Sequence, residues 1–346
     1  MKILIVGGSN SLIRDGYVKY FSEELRHRYE TVEFRNVSIG GTVSLTSLVL
    51  LDQLNFHPDL VIFEYSLNDT GHLNHLEKGS ELKKYFLGII FNFLARRFPE
   101  AKVLPLILSA SPFYDMKVRN TIYLAELDFW RRKGIQPVDM RRQLFELFGT
   151  QAPEFLYSDT SHFHRGAACA LIGKFLAAAV PATLALQRSL GQLNTSHSEN
   201  QLDMVDYYSA RDLMEGSEGN TSLEPIFNRH LNLECVKVMP GGRVRIPSAG
   251  NVLMVAFVSD DSHQSFTLVS GSSKTSIAAR HVDVKAGKIV LTSVPLIIRS
   301  FQLGNECHEW LALDESNDPW VFDCFLPPGM SQAQTSFSLA GLLIQR

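Results

Sequence analysis

The stretch Gly7-Gly8-Ser9-Asn10-Ser11 follows a short apolar run, Ile3 to Val6, and precedes a helical pattern that begins at Tyr17. A glycine turn between a strand and a helix can serve two kinds of chemistry. It can cradle a phosphate at the helix N-terminus, or it can hold up a reactive serine. The dinucleotide fingerprint needs glycine at three offsets, but after Gly7 the second offset is Ser9 and the third is Leu12. The phosphate loop GxxxxGK[ST] occurs nowhere in the chain. The serine reading makes its own demands. A hydroxyl is a weak nucleophile until it has a base, a group that orients the base, and donors for the oxyanion it creates.

Three further stretches hold groups of those kinds: Arg35 to Ser44 (RNVSIGGTVS), Glu64 to Thr70 (EYSLNDT) and Tyr157 to Ala167 (YSDTSHFHRGA). The first two follow expected strands and the third precedes an expected helix. A parallel sheet would put all three at the strand ends that carry Ser9, where open α/β sheets bind ligands.

Together these blocks resemble the SGNH hydrolases, also called GDSL-like lipases and acylhydrolases. Gly8-Ser9-Asn10-Ser11 stands where the family has Gly-Asp-Ser. Asn36-Val-Ser-Ile-Gly-Gly41-Thr42 is similar to its Asn-x-x-x-x-Gly-x-Thr loop. Ser66-Leu67-Asn68-Asp69 is close to Gly-x-Asn-Asp, and Asp159-Thr-Ser-His162 matches Asp-x-x-His. The resemblance covers about residues 1 to 180. It implies that Ser9 is the nucleophile, His162 the general base and then acid, and Asp159 the group that orients His162. It also implies an oxyanion hole from the backbone N–H groups of Ser9 and Gly41 and the side-chain amide of Asn68. Gly40 is the alternative donor one residue back. Ser66 departs from the family's glycine and is expected to change the wall beside that hole.

Each residue also has a plain structural reading. Ser9 could cap a helix, Gly40-Gly41 could form a turn, and Asn68 and Asp159 could cap loops. His164 competes with His162, and the Asp-x-x-His spacing favours His162. His72 and His75 show no carboxylate or cysteine partner in the sequence and read as a solvated loop. Glu64 ends an apolar strand, where it could brace the Ser9 loop or pair with a basic residue. The Ser109 to Tyr114 loop is expected to line the pocket.

The elements that must position these residues alternate. Strands are expected at Ile3–Val6, Val32–Asn36, Asp59–Tyr65, Lys102–Leu108 and Gln136–Asp139. Helices are expected at Tyr17–Tyr29, Ser44–Leu54, Leu82–Phe98, Asn120–Lys133 and Arg165–Ala179. That alternation predicts an α/β domain with a parallel sheet between helical layers. The family resemblance makes it a flavodoxin-like three-layer domain over residues 1–186. Residues 187–222 are polar and read as a linker. Residues 223–346 carry short strands such as VLMVAFVSDD and FSLAGLLIQR, broken by Gly, Pro, Ser and Asp. They predict an antiparallel β-sandwich or jelly roll, with core packing the expected role of Trp310, Trp320 and Phe322 and a sugar platform the rival.

Composition narrows the function classes. The chain has 346 residues, and at 45% hydrophobic and 20% charged it has material for a sizeable core. A net charge of −3 gives no basic excess for nucleic acid. Cys169, Cys235, Cys307 and Cys324 form no CxxC pair; a disulfide among the last three is open. The run Ala167 to Leu186 contains Gly173, Lys174 and Pro181 and reads as a packed helix rather than a membrane span. With no export signal visible at Lys2-Ile-Leu-Ile-Val, a cytoplasmic location is expected. The resemblance implies an esterase that needs no metal or organic cofactor and acts on small acyl esters, lipids or O-acetylated carbohydrates. Carbohydrate deacetylation is the expectation. An O-acyltransferase on a glycan and a non-catalytic carbohydrate-binding module are the alternatives.

Overall fold

The computed structural model describes residues 1–194, 205–227, 232–247, 251–260, 265–281, 290–297, 308–313, 325–326 and 336–345. The chain divides into two compact units. One comprises Met1–Ser47 and Leu54–Glu199, the other Leu48–Gln53 and Asn200–Arg346.

The first unit is built on five parallel strands: β1 (Lys2–Gly7), β2 (Glu33–Asn36), β3 (Leu60–Glu64), β4 (Lys102–Ile107) and β5 (Val138–Asp139). Their order is β2-β1-β3-β4-β5, the doubly wound flavodoxin order. β1 and β3 are buried nearly throughout because helices cover both faces. The period of two sends alternate side chains to opposite layers. Ile3, Ile5, Leu60 and Ile62 pack on one face with Tyr17, Phe21 and Leu25 of α1 (Tyr17–Arg28). On the other face Phe63 meets Trp130 edge-on at 5.8 Å. In order along the chain, the remaining helices are α2 (Ser47–Asp52), which belongs to the second unit from Leu48 on, α3 (Ser66–Leu73), α4 (Gly79–Arg97), α5 (Thr121–Arg132), α6 (Met140–Phe148), α7 (Ala167–Leu186) and α8 (Leu190–Asn194).

Three elements differ from the sequence expectation. Helix α3 forms where EYSLNDT reads as a loop, and α6 forms after the last strand, capped by the Asp139 side chain on the Arg142 N–H. Helix α7 runs past the expected stop at Ala179 and through Pro181. A proline removes the hydrogen bond to the carbonyl four residues back. Here that carbonyl is Ala177 O, and Arg28 of α1 donates to it at 3.3 Å. Helix α7 is long and apolar enough to cross a membrane, yet Cys169, Ile172, Leu176 and Val180 pack into the same core as α1.

Among the described residues the second unit contains a two-stranded antiparallel sheet, Arg280–His281 with Phe325–Leu326, and two larger antiparallel sheets. One runs, in order, 290–294, 251–259, 337–345, 232–238 and 221–227, and the other 273–278, 265–270, 310–313, 243–245 and 217–218. The strand Asn251–Ser259 is buried at every position. Phe257 and Phe337 from the first sheet meet Phe266 from the second at 6.4 and 5.2 Å, the stacking of a sandwich. The stretch read as a linker over 187–222 holds α8 and the strand Val205–Ser209, which pairs with Gly341–Gln345. Its partner lies more than a hundred residues away, so no local pattern announces it. Trp310 carries the Arg243 guanidinium over its ring at 4.2 Å. Cys169 and Cys235 are buried free thiols; Cys307, Cys324, Trp320 and Phe322 lie outside the described residues.

Candidate active site

β1 ends at Gly7, and the chain turns at once into a 3-10 turn, Ser9–Leu12. β3 ends at Glu64 and passes into α3 at Ser66. These neighbouring strands flank the point where the strand order reverses, the crevice of a doubly wound sheet. Ser9 and Asn68 sit on opposite sides of it. Asn68 Oδ1 fills the space that a side chain on Gly8 would need.

The loop from Tyr157 brings in the other two groups. It is closed by Ser158 N–H donating to His162 O at 2.9 Å and His164 N–H donating to Leu156 O at 2.9 Å. Asp159 Oδ1 accepts the N–H groups of Ser161 and His162, each at 2.8 Å. Its carboxylate reaches His162 Nδ1 at 2.8 Å, and His162 Nε2 lies 2.9 Å from Ser9 Oγ. Partial burial acts to raise the Asp159 pKa. The hydrogen bonds from Ser161, the His162 ring and the His162 N–H outweigh it, so the carboxyl stays below its ordinary value. An ionised Asp159 accepts the proton on Nδ1, which leaves Nε2 with the lone pair that faces Ser9. His164, the competing histidine, turns its Nδ1 to Arg165 O at 2.7 Å.

Asn10 ties the serine turn to this loop. Its Nδ2 donates to Ser161 O at 2.9 Å, and its Oδ1 accepts the Phe163 N–H at 3.1 Å. A cavity of about 410 Å³ opens beside His162 and Asp159, between Ile13 and Phe163.

The glycine loop crosses the far side of Ser9. A Cβ on Gly40 would stand 3.0 Å from Ser9 Cβ, so a side chain there would press on Ser9. Gly41 adopts φ 71°, in the left-handed region that favours glycine. Asn68 Nδ2 donates to Thr42 O at 3.1 Å, and Asp69 Oδ1 accepts the Ser44 N–H at 2.8 Å. The start of α3 therefore holds the loop at two points. Ser66 does not shape a wall of the site. It is buried, and its Oγ accepts the Leu108 N–H at 2.8 Å.

Several residues that the sequence did not single out support this arrangement. Asn10 is one. Asp69 is another, bound through Oδ2 to Lys83 Nζ at 2.8 Å, while Lys83 also meets Glu126 Oε2 at 2.9 Å. All three side chains are fully buried. Lys83 is legible in retrospect as a cation set between Leu82 and Phe86 on the buried face of α4. Nothing in the sequence links it to Asp69. Among the described residues no group of His, Cys, Asp or Glu gathers to hold a metal. The loop after β4 is joined to the histidine loop by Ser111 N–H donating to Thr160 O at 2.9 Å.

No protein-family model matches the chain, and no curated protein matches it. Among solved structures, a two-domain esterase active on acetylated mannans, crystallised with mannopentaose, aligns over 100% of this chain and 90% of its own. The TM-score is 0.63 at 14% identity. The chain shares the fold of that two-domain esterase. An acetyl xylan esterase aligns with 52% of the chain and 100% of its own length, with a TM-score of 0.44 and 18% identity. A lipase/acylhydrolase from Enterococcus faecalis aligns with 54% of this chain and 99% of its own, with a TM-score of 0.42 and 17% identity. In this fold the serine, glycine, asparagine and histidine blocks of the sequence meet around one crevice.

Proposed function

We propose that this protein is a serine esterase that hydrolyses small acyl esters, acetyl esters foremost, through an acyl-enzyme on Ser9. The observation that carries this reading is the hydrogen-bonded run from Ser9 through His162 to Asp159. Ser9 Oγ attacks the ester carbonyl carbon and gives its proton to His162 Nε2. The carbonyl electron pair moves to oxygen, and Asp159 stabilises the imidazolium. The oxyanion meets three donors. Ser9 N–H opens a 3-10 turn, where the first amides lack a partner within the turn. The glycine loop supplies Gly41. Asn68 has two amide protons, and the Thr42 carbonyl takes one.

Collapse of the tetrahedral intermediate expels the alkoxide, which takes the proton from His162. Water then attacks the acyl-enzyme, its proton passes to His162, and the second collapse returns the acid and Ser9. The substrate class we propose is an O-acetylated carbohydrate. The support is the fold shared along the whole chain with an esterase whose own activity is on acetylated mannans.

The test is hydrolysis of p-nitrophenyl acetate and of acetylated mannan by the wild type and by Ser9→Ala. Turnover that disappears with Ser9 is the expected result. Equal turnover in both proteins would remove Ser9 from the reaction. Loss of the acyl donor only when a glycan acceptor is present would make the protein a transferase.

A further inference from the structure

A buried carboxyl lies directly beneath the serine turn, and the mechanism above does not use it. Glu64 ends β3 and is wholly buried. Gly8 N–H donates to its backbone carbonyl at 2.8 Å and also faces Oε2 at 3.3 Å. Ser11 Oγ donates to Oε2 at 2.8 Å and lies 2.7 Å from the Tyr17 hydroxyl, which completes a chain Tyr17–Ser11–Glu64. Ser9 therefore sits between two residues that both lean on one carboxyl oxygen. The other oxygen, Oε1, is buried with no hydrogen-bond partner among the described residues. A carboxylate has acceptor capacity on both oxygens and is strongly penalised with one of them dry. A carboxylic acid can place its proton on Oε1 and keep Oε2 as the acceptor that Gly8 and Ser11 require.

We infer that Glu64 is a positioning residue that holds the Ser9 turn in its neutral form, and that its ionisation sets the alkaline limit of the reaction. The inference rests on the esterase reading of Ser9. Burial pushes the Glu64 carboxyl up to about 8, against the lowering effect of the Ser11 and Gly8 hydrogen bonds. The charged and titratable neighbours do not reverse this. Glu126 of α5 raises it and Lys83 of α4 lowers it. Tyr17 of α1, beside Cys169 of α7, and Tyr65 just after β3 are themselves held protonated by burial. When Glu64 ionises, a negative charge appears one peptide away from Ser9. The transition state places its own negative charge on the substrate oxygen held by Ser9 N–H. Like charges in a low-dielectric interior repel strongly, so kcat falls as Glu64 loses its proton.

The experiment combines kcat against pH with infrared difference spectroscopy, on the full chain, for wild type, Glu64→Gln and Ser11→Ala. The wild type is expected to lose about tenfold in kcat between pH 7 and pH 9, as one proton leaves a group titrating near 8. In Glu64→Gln the ratio of kcat at the two pH values is expected near one, because glutamine cannot ionise. Ser11→Ala removes a hydrogen bond that favours the charged form, so its alkaline limb moves to higher pH. The carbonyl band of a protonated carboxylic acid is expected in the wild type at pH 7 and absent in Glu64→Gln. Identical pH profiles in the wild type and Glu64→Gln would overturn the inference even if turnover depends on Ser9. Coincident infrared spectra at pH 7 would overturn it without any reference to activity. Turnover independent of Ser9 would instead defeat the esterase reading, and the infrared result would still report the state of Glu64.

Discussion

His162 and Asp159 stand three residues apart on an exposed loop, and that loop is stitched by its own backbone and by Asp159. Gly41 and Asn68 come from separate segments, and their geometry is tied to a fully buried cation, Lys83, between Asp69 and Glu126. One side of the site is held by uncharged hydrogen bonds and its own Asp159, within the loop and across to Asn10 and Ser111. The other is held by charges in the interior. Asp159 is half-exposed and remains below its ordinary pKa because its hydrogen bonds favour the anion. Glu126 is raised by burial, although Lys83 opposes this, and Lys83 is raised because its two carboxylates outweigh its own desolvation. Surface geometry can depend on short-range hydrogen bonds alone, whereas buried geometry depends on charges that must remain matched.

Four measurements would break or sharpen this contrast. His162→Ala removes the proposed base from the local side and is expected to lower kcat on the order of 10⁴-fold or more. The fold should be unaffected, since the His162 side chain is 36% exposed; a large drop in thermal stability would show that the ring helps to hold the fold. Lys83→Met attacks the interior side. It strands Asp69 and Glu126 without their cation and is expected to destabilise by about 3–5 kcal/mol, read as a lower urea midpoint. The exposed pair of Lys84 and Asp128 at 2.7 Å is the internal control. Lys84→Met is expected to change stability by less than about 1 kcal/mol, and equal effects at 83 and 84 would deny the buried network its role.

Asn68→Ala is expected to lower kcat by about 10²–10³-fold with little change in KM, as removal of one oxyanion donor does. A rise in KM at constant kcat would instead make Asn68 a residue for binding the ground state. The smallest effect belongs to Asn10→Ala, which loses both hydrogen bonds between the serine turn and the histidine loop. It is expected to lower kcat by about tenfold while Asp159 and His162 keep their mutual contact. An unchanged kcat would mean that the two loops register without Asn10.

Much of this protein is legible in its sequence. Apolar runs bounded by turn residues mark β1, β3 and β4, because strands buried on both faces need little else. The four blocks mark Ser9, Gly41, Asn68, Asp159 and His162, because each group needs a particular residue type at a strand end. The Asp159–His162 spacing singles out His162 over His164, because one short turn can bring those two side chains together. Other features require the tertiary structure. The roles of Asn10, Ser66 and Lys83 depend on partners 151 residues away at Ser161, 42 at Leu108 and 14 at Asp69, respectively. Helix α7 continues through Pro181 because Arg28 reaches the carbonyl the proline frees. The strand Val205–Ser209 exists because Gly341–Gln345 offers it an edge. The sequence by itself determined which groups could react and where the strands carry them. Only the folded chain decided which buried charges and distant hydrogen bonds hold those groups, because such pairings leave no period and no spacing in the sequence.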